Sequence, residues 1–369
     1  MTAQTDNPGI ITAATTDARF TANDAEMLRA EQAYQAFEND LAEQLANIEA
    51  DHPGYHRYHY QVDPIGHDPY VLIAILSAVQ PNFRVDSPEI QQFLAELRRP
   101  RRQYTLTVNK VIADEYVDKF AGVDINAIEP KYLDLHVKFT NYDLYCVVDS
   151  VLTHQQLCAY AGYIRDNGGR PDLFPVDRYP HAVIVTPPQS YRVSSQLLSK
   201  YPVLAAELAV AEQYIGYPYV WSGHGPETSF DCSGYISYIL DQLGLEYRNN
   251  INGKLVHLPV AGSRIHGVYY DGIYDKCTPV DDTEKQPGDL VFFTGTFDAP
   301  YRSVNLSHVG IYVGDDTFLA CSAPLGVRYQ AYDDLDERGR PWRSLLYGYG
   351  RLTDLSRQYD AKAENNRQC

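Results

Sequence analysis

One cysteine places the strongest constraint on the fold, because a helical pattern begins at it and three strand patterns follow. Cys232 is followed by apolar residues at helical spacing, and this pattern stops at Gly244. His308 stands at the start of the second strand pattern. The three strand patterns cover residues 290–293, 307–314 and 317–322. This order predicts an α+β domain in which one helix packs on an antiparallel sheet.

The residue type alone leaves two interpretations of Cys232 open. At a helix N-terminus, free backbone N–H groups and the helix dipole stabilise a thiolate, which predicts a nucleophile with a lowered pKa. The alternative is a buried structural cysteine, since free cysteines are among the most buried residues. A histidine on a neighbouring strand favours the nucleophile, because an imidazole can hold the thiolate as an ion pair and then protonate a leaving amine.

A chain of 369 residues is long enough for two domains, and the sequence patterns divide it near residues 181–202. The first part has few chemical landmarks, whereas the cysteine and the histidine lie in the second. We therefore predict an α+β accessory domain followed by a separate catalytic domain. The predicted segments are a disordered leader at 1–20, the accessory domain at 21–180, a linker at 181–202, the catalytic domain at 203–354 and a polar tail at 355–369.

Hydrophobic periodicity predicts the regular elements that precede Cys232. A long amphipathic helix begins after a cap at Asn23 and runs to about residue 50. The other predicted helices cover about residues 69–80, 88–98, 153–166 and 203–215. Alternating patterns at 104–108 and 132–139 predict two strands.

The charge of the chain argues against several classes of partner. Lys and Arg total 31 against 48 Asp and Glu, and the resulting net charge of −17 repels nucleic-acid phosphates and anionic lipid headgroups. The longest apolar stretch, residues 70–79, is about half the length that spans a bilayer. Residues 1–20 lack the features of a signal peptide. An extracellular or wall-associated location would therefore require an export signal or anchor upstream of this sequence.

Neither a metal site nor a disulfide framework is predicted. The six cysteines are widely spaced and form no CxxC pair. Histidines and aspartates cluster in residues 52–68, but prolines and glycines interrupt the segment, which favours solvated loop histidines over metal ligands. The members of this cluster are His52, His56, His59, Asp63, His67 and Asp68. We expect no metal and no organic cofactor.

Four strings in the second domain, PYVWSG, DCSG, PGDLVFF and HVGIYVGD, resemble in order and spacing the NlpC/P60 family of papain-like cysteine peptidases. The resemblance covers about residues 203–352. It implies a papain-like fold and cleavage of peptidoglycan stem peptides after D-glutamate, at the bond to the diamino acid. It also implies that Cys232 is the nucleophile and His308 the general base and acid.

The same resemblance implies roles for four further residues. Tyr219 corresponds to a tyrosine whose hydroxyl lies beside the nucleophile and contributes to the oxyanion hole. Asp231, Ser233 and Trp221 correspond to positions that bind substrate. Ser222 stands where relatives usually have glycine, so a positive φ at this position would be strained.

One departure from the family pattern concerns the third catalytic position. Relatives carry a polar residue on the strand after the catalytic histidine, where it orients the imidazole, and this chain has Ala320 there. Three explanations remain open. A water or a backbone carbonyl orients His308, a neighbouring side chain such as Ser322 replaces the missing group, or the enzyme is impaired.

Residues 30–175 resemble, more loosely, the region that precedes such domains in wall hydrolases of Gram-positive conjugative elements. This resemblance implies an exported or tethered protein that opens the cell wall locally for a conjugation apparatus. It leaves open whether the accessory domain binds a protein partner or forms a dimer.

Two alternatives to an active endopeptidase also remain open. The first is a catalytically impaired wall-binding or assembly protein, of which Ala320 would be the mark. The second is a thiol amidase or acyltransferase with another substrate, since one fold hosts several chemistries.

Overall fold

The computed structural model of the protein describes residues 18–114, 131–244, 246–248, 255–257, 272–297 and 306–352. The predicted polar tail and residues 1–17 of the predicted leader lie outside these ranges. Helices and an antiparallel sheet are both present, which confirms the predicted α+β class. Within the described residues, every helix is too short or too polar to cross a membrane.

The chain forms two compact units. The N-terminal unit comprises Thr21–Val151 and Asp172–Ala182. The C-terminal unit comprises Leu152–Pro171, the described part of Val183–Cys369, and the described residues up to Phe20.

The N-terminal unit combines short and long helices with a three-stranded sheet. Its α-helices are α1 (Asp24–Ala46), α2 (Ile48–Asp51), α3 (Pro69–Val79), α4 (Pro88–Leu97) and α5 (Val148–Val151). Its strands are β1 (Arg57–Val62), β2 (Tyr104–Asp114) and β3 (Lys131–Asn141). The predictions of α1, α3, α4, β2 and β3 are confirmed. The sequence analysis missed β1, because its residues lie in the histidine-rich segment that we interpreted as a loop.

Helix α3 forms the centre of this unit, and its residues from Pro69 to Ala78 are all buried. A helix that is apolar on every side must be enclosed by other elements. Asp68 begins the helix by accepting a hydrogen bond from the Tyr70 amide at 2.9 Å. In the sheet, β3 lies between β1, which is parallel to it, and β2, which is antiparallel.

A buried ionic cluster ties α1 to the loop before α3. The His67 ring bonds through Nδ1 to Glu38 and through Nε2 to Glu31, each at 2.9 Å. Tyr104 donates its hydroxyl hydrogen to Glu38 as well. Burial alone would lower the pKa of His67, but the hydrogen bonds to the two carboxylates outweigh it and raise this pKa to about 9. His67 is therefore protonated at neutral pH and donates from both ring nitrogens.

Replacing His67 should strongly destabilise the N-terminal unit. His67→Leu leaves Glu31 and Glu38 buried without their cation, which costs about 3–5 kcal/mol. Hydrogen exchange of the α1 and α3 amides measures this loss in the full chain. His52→Leu is the matched control, because the His52 side chain is only half-buried. Equal protection of these amides in both variants would contradict the role of the cluster.

The same cluster predicts a dependence of stability on pH. The pKa of His67 is raised in the folded state, from an ordinary value of 6.5 to about 9. Its contribution is therefore fully present below pH 6.5 and is lost as the pH rises through 9. Protection of the α1 amides should decline over this window in the wild type. In His67→Leu this component of the decline should disappear.

The C-terminal unit contains four α-helices in its described residues: α6 (His154–Ile164), α7 (Ser195–Lys200), α8 (Pro202–Ala211) and α9 (Cys232–Gln242). Its strands are β4 (His224–Gly225), β5 (Ser229–Phe230), β6 (Glu246–Arg248), β7 (Leu255–His257), β8 (Thr278–Val280), β9 (Leu290–Thr294), β10 (Leu306–Gly314), β11 (Thr317–Ser322), β12 (Gly326–Ala331) and β13 (Leu346–Arg351). The predicted helix at Cys232 is confirmed as α9, and the strands predicted at 290–293, 307–314 and 317–322 are confirmed as β9, β10 and β11. Strand β12 was not predicted.

Six strands of this unit form one sheet in the order β12-β11-β10-β9-β13-β8. All the pairings in it are antiparallel. Helix α9 packs on β10 and β11 and buries Tyr235, Ile236, Ile239 and Leu240. The first residue of α9 and the first residues of β10 therefore come together, which brings Cys232 close to the segment that carries His308.

Candidate active site

Asp231 determines where α9 begins. Its carboxylate accepts hydrogen bonds from the Gly234 amide at 2.6 Å and from the Ser233 hydroxyl at 2.9 Å. These bonds satisfy donors that a helix N-terminus would otherwise leave without partners. Loss of hydration raises the pKa of Asp231, and the hydrogen bonds act in the opposite direction. The sequence-predicted substrate residues Asp231 and Ser233 thus have a structural role at the first turn.

The backbone of the loop before α9 packs directly on that first turn, at Gly223, and leaves no room for a side chain at Gly234. A Cβ on Gly234 would lie 2.0 Å from the carbonyl oxygen of Gly223, so only glycine fits there. The same carbonyl accepts a hydrogen bond from the Asp231 amide at 2.8 Å. Ser222 has a φ of 60°, in the left-handed region, which costs a non-glycine residue about 1–2 kcal/mol. The loop is therefore strained at Ser222, next to the Gly223 carbonyl that contacts the helix.

Cys232 is buried, and its thiol faces the backbone of β10. The Sγ atom lies 3.8 Å from the Ser307 carbonyl oxygen. Burial raises the pKa of the Cys232 thiol, and the nearby Asp231 carboxylate raises it further. Backbone N–H groups of Val309, Ser233 and Cys232 itself act in the opposite direction but do not outweigh burial. The expectation that the helix N-terminus lowers this pKa is therefore wrong for this structure, because desolvation dominates.

A β-bulge positions His308 on β10. Leu306 pairs with Thr294 and His308 with the preceding residue, Phe293, so the register shifts at Ser307. The Ser307 hydroxyl accepts two hydrogen bonds from Thr296, one from its amide and one from its hydroxyl, each at 2.8 Å. Bulges of this kind often re-aim side chains next to active sites. The bulge fixes both the carbonyl that faces the thiol and the direction of the His308 side chain.

The His308 ring is enclosed by aromatic residues and one hydroxyl. Trp342 stacks on it with ring centroids 4.7 Å apart and an interplanar angle of 29°. Its Nε2 atom lies 3.1 Å from the Ser322 hydroxyl. Burial lowers the pKa of His308 to about 3, while the nearby Asp336 carboxylate acts weakly in the opposite direction. The imidazole is therefore neutral at physiological pH.

The thiol and the imidazole are close in the fold but are not hydrogen-bonded to each other. Cys232 contacts the Ser307 carbonyl, and the His308 ring bonds to Ser322, so both groups have other partners among the described residues. The raised pKa of the thiol and the lowered pKa of the imidazole favour a neutral pair over an ion pair. Proton transfer between them therefore requires a side-chain movement that brings the thiol and the imidazole into hydrogen-bond contact.

The register of β10 and β11 shows which residue of β11 lies level with His308. Ile311 pairs with Leu319, and counting on from this pair sets Gly310 level with Ala320 and His308 level with Ser322. A Cβ on Gly310 would lie 3.1 Å from that of Ala320, which agrees with this register. The Ser322 hydroxyl in turn accepts a hydrogen bond from the Gln330 amide at 2.7 Å. The sequence analysis named Ser322 as one alternative but did not identify Gln330 or Trp342.

The remaining sequence-predicted residues lie on the approach to α9. Tyr219 is half-buried and forms an isolated parallel bridge with Phe230, two residues before Cys232. Trp221 packs edge-on against Phe297 at a centroid distance of 5.2 Å. These two aromatic residues are therefore in the segment that leads to the thiol.

One group in the N-terminal unit has metal-ligating residue types close together. His59, Asp134 and His136 offer ligand atoms within 4.8 Å of one another. However, Arg57 already binds both carboxylate oxygens of Asp134, each at 2.9 Å, and lowers the pKa of this carboxyl. The carboxylate is thus neutralised by a guanidinium, and the cluster is best described as a salt-bridge network on the sheet.

Removing the carboxylate cap of α9 should destabilise the C-terminal unit. Asp231→Ala leaves two donors of the first turn without their acceptor, and cap losses of this kind cost about 1 kcal/mol. Urea denaturation followed by tryptophan fluorescence measures the loss, because both tryptophans lie in this unit. Ser194→Ala is the control, since Ser194 caps α7, which has no buried residues. A smaller loss for Asp231→Ala than for Ser194→Ala would contradict this role.

Comparison with known proteins places the site within a recognised domain. Residues 216–339 match the NlpC/P60 family. This range includes Tyr219, Cys232, His308, Ser322 and Gln330. It lies wholly within the C-terminal unit.

Three curated proteins illustrate the similarity. The chain is 37% identical to "probable endopeptidase p60" of Listeria seeligeri over 145 residues, which is 39% of this chain and 21% of that protein. It is 32% identical to "bifunctional muramidase/DL-endopeptidase CwlT" of Bacillus subtilis over 142 residues, 38% of this chain and 34% of that protein. It is 30% identical to "gamma-DL-glutamyl hydrolase" of Bacillus subtilis over 149 residues, 40% of this chain and 29% of that protein. The chain thus spans between 21% and 34% of the length of these relatives.

Proposed function

Residues 216–339 form an NlpC/P60 family domain, and from this premise we propose that the chain is a cysteine peptidase that cuts stem peptides of bacterial cell-wall peptidoglycan. The observation that carries the proposal is the position of Cys232. It is the first residue of α9, and its thiol lies against the β10 backbone next to His308. A nucleophile at a helix N-terminus beside a histidine-bearing strand is the arrangement that acyl transfer through a thiol requires.

In the proposed reaction His308 first acts as general base. Its Nδ1 atom takes the proton of the Cys232 thiol, and the sulfur attacks the carbonyl carbon of the scissile peptide bond. Backbone N–H groups at the start of α9 and the Tyr219 hydroxyl stabilise the oxyanion. The protonated imidazole then gives its proton to the leaving amine, and water releases the acyl group from the sulfur.

The neutral state of both groups is compatible with this sequence of steps. Catalytic hydrogen bonds are often long or misaligned until substrate occupies the site, and they tighten in the reacting complex. A neutral imidazole can accept the thiol proton, whereas a protonated one cannot. The low pKa of His308 keeps the imidazole neutral but also makes it a weak base, so in this proposal substrate binding must raise that pKa before the thiol proton moves.

The relatives' names support the choice of bond. Two of them are named as DL-endopeptidase and gamma-DL-glutamyl hydrolase. We propose accordingly that this chain cuts after D-glutamate, at the bond to the diamino acid. The proposed location is extracellular or at the cell wall, where this substrate is found. The looser resemblance of the N-terminal region extends the proposal to local wall opening during conjugation.

The net charge bears on how the protein reaches its substrate. At −17, the chain would be repelled by anionic wall polymers rather than attracted to them. In this proposal, attachment to the wall depends on specific short-range contacts, and the N-terminal unit is the candidate to supply them.

Digestion of purified muropeptides tests the catalytic claim. The wild type should release fragments cut after D-glutamate, identified by mass spectrometry. Cys232→Ala should lower the rate about 10,000-fold or more, because loss of a catalytic nucleophile removes the covalent route.

Cys277→Ala is the matched control, since Cys277 is a second thiol of the same unit and lies beside the edge strand β8. It should retain the wild-type rate. Equal release by the wild type and Cys232→Ala, or no release by either, would refute the proposal.

A second candidate function is supported by two observations. The thiol and the imidazole share no hydrogen bond in this structure, and Ala320 occupies the third catalytic position. Both would fit a wall-binding protein whose peptidase domain has lost activity. This candidate predicts that the wild type binds sacculi and stem peptides without releasing any product.

A further inference from the structure

Two polar side chains outside the sequence motifs form a hydrogen-bonded chain that ends at one edge of the His308 ring. Ser322 lies 3.1 Å from Nε2, and Gln330 donates to the Ser322 hydroxyl at 2.7 Å. His308 is only 4% exposed, Ser322 2% and Gln330 8%. Bulk water therefore does not compete for these hydrogen bonds, and low local polarity strengthens each of them.

The three residues come from three adjacent strands at one edge of the sheet. His308 is on β10, Ser322 on β11 and Gln330 on β12. The ladder between β11 and β12 pairs residues without interruption from Thr317 to Ser322. The hydrogen-bonded chain is therefore fixed by the backbone of the sheet rather than by a loop.

The aromatic stack and the hydrogen bond constrain different motions of the ring. Stacking on Trp342 fixes the plane of the imidazole. The stack would tolerate a 180° rotation of the ring about its Cβ–Cγ bond, because both orientations present a flat face to the indole. Such a flip would exchange the nitrogens with ring carbons. Among the described residues, the hydrogen bond at Nε2 selects one orientation, and that orientation directs Nδ1 away from Ser322.

Ser322 can donate its hydroxyl hydrogen to an unprotonated Nε2 or accept from Nε2–H, and the proposed role of Nδ1 as the base requires the second arrangement. A serine oxygen accepts up to two hydrogen bonds, and the Gln330 amide nitrogen can only donate. Gln330 thus occupies one lone pair of Ser322 and leaves the second for a donor. When His308 is protonated during the reaction, its Nε2–H can only donate, and Ser322 supplies the acceptor.

We propose that Ser322 and Gln330 are the positioning residues of His308. They hold Nε2 in its protonated form and leave the lone pair of Nδ1 available for the proton of Cys232. The pair replaces the polar group that is absent at Ala320. This inference rests on the proposed function, because positioning matters only if His308 exchanges a proton with the thiol.

Steady-state kinetics on the muropeptide substrate tests the role in catalysis. Ser322→Ala should lower kcat about 10–100-fold, since small errors in the placement of a catalytic group cost about this much, while KM changes less than about twofold. Gln330→Leu should lower kcat about 3–10-fold, because Ser322 remains but can rotate. Ser322→Thr keeps the hydroxyl and should restore most of the rate.

Ser237→Ala is the matched control for these variants. Ser237 is buried in the same unit, and its hydroxyl has no hydrogen-bond partner among the described residues, so removing it breaks no bond with them. It should retain the wild-type kcat. Wild-type kcat in both Ser322→Ala and Gln330→Leu would overturn the inference.

Nitrogen-15 NMR of histidine-labelled protein provides a readout that requires no turnover. The His308 signals are assigned by their disappearance in His308→Gln. The wild type should show the tautomer protonated at Nε2, and Ser322→Ala should show a mixture of tautomers. A wild type protonated at Nδ1, or an unchanged tautomer in Ser322→Ala, would overturn the inference. If the wild type hydrolyses no muropeptide, the proposed function fails, and this measurement still decides whether Ser322 and Gln330 fix the ring.

Discussion

The close packing of the α9 N-terminus against two backbone segments determines the geometry of the candidate site. On one side the Gly223 carbonyl approaches so near that Gly234 has no room for a side chain. On the other side the Cys232 thiol meets the backbone of β10 at the bulge. Because backbone and not flexible side chains makes these contacts, the sulfur has little freedom. The bulge at Ser307 then couples the position of the sulfur to that of the histidine next along the strand.

Sequence patterns predicted the parts of this site that depend on neighbours along the chain. The helix at Cys232 and the strand that carries His308 follow from local periodicity and are confirmed. The groups around the His308 ring could not be predicted in this way. Ser322 reaches the ring, and Gln330 reaches Ser322, because β10, β11 and β12 pair in one particular register. A shift by one residue would turn both side chains to the other face. Residue type and spacing do not specify that register.

The histidine-rich segment of the N-terminal unit shows the same limit more strongly. Its histidines are neighbours in sequence, which suggested one solvated cluster. The fold separates them, because β1 carries His59 to Asp134 on β3, whereas His67 enters the interior between Glu31 and Glu38 of α1. Those two glutamates are seven residues apart and thus lie on one face of the helix. Their partner could not be identified from the sequence, since the contact depends on how α1 packs against the loop before α3.

The burial of Cys232 and His308 changes what chemical reactivity can reveal about this protein. Because the pKa of the Cys232 thiol is raised and the neighbouring imidazole is neutral, only a small fraction of Cys232 is ionised to thiolate at neutral pH. It will therefore react slowly with small alkylating reagents even if the enzyme is fully active. Slow alkylation of Cys232 consequently cannot distinguish an active peptidase from an inactive wall-binding protein. The distinction depends on whether substrate brings the two groups into hydrogen-bond contact, so that the proton moves only when the scissile carbonyl is in place. Turnover of the peptide is therefore the property that separates the two functions.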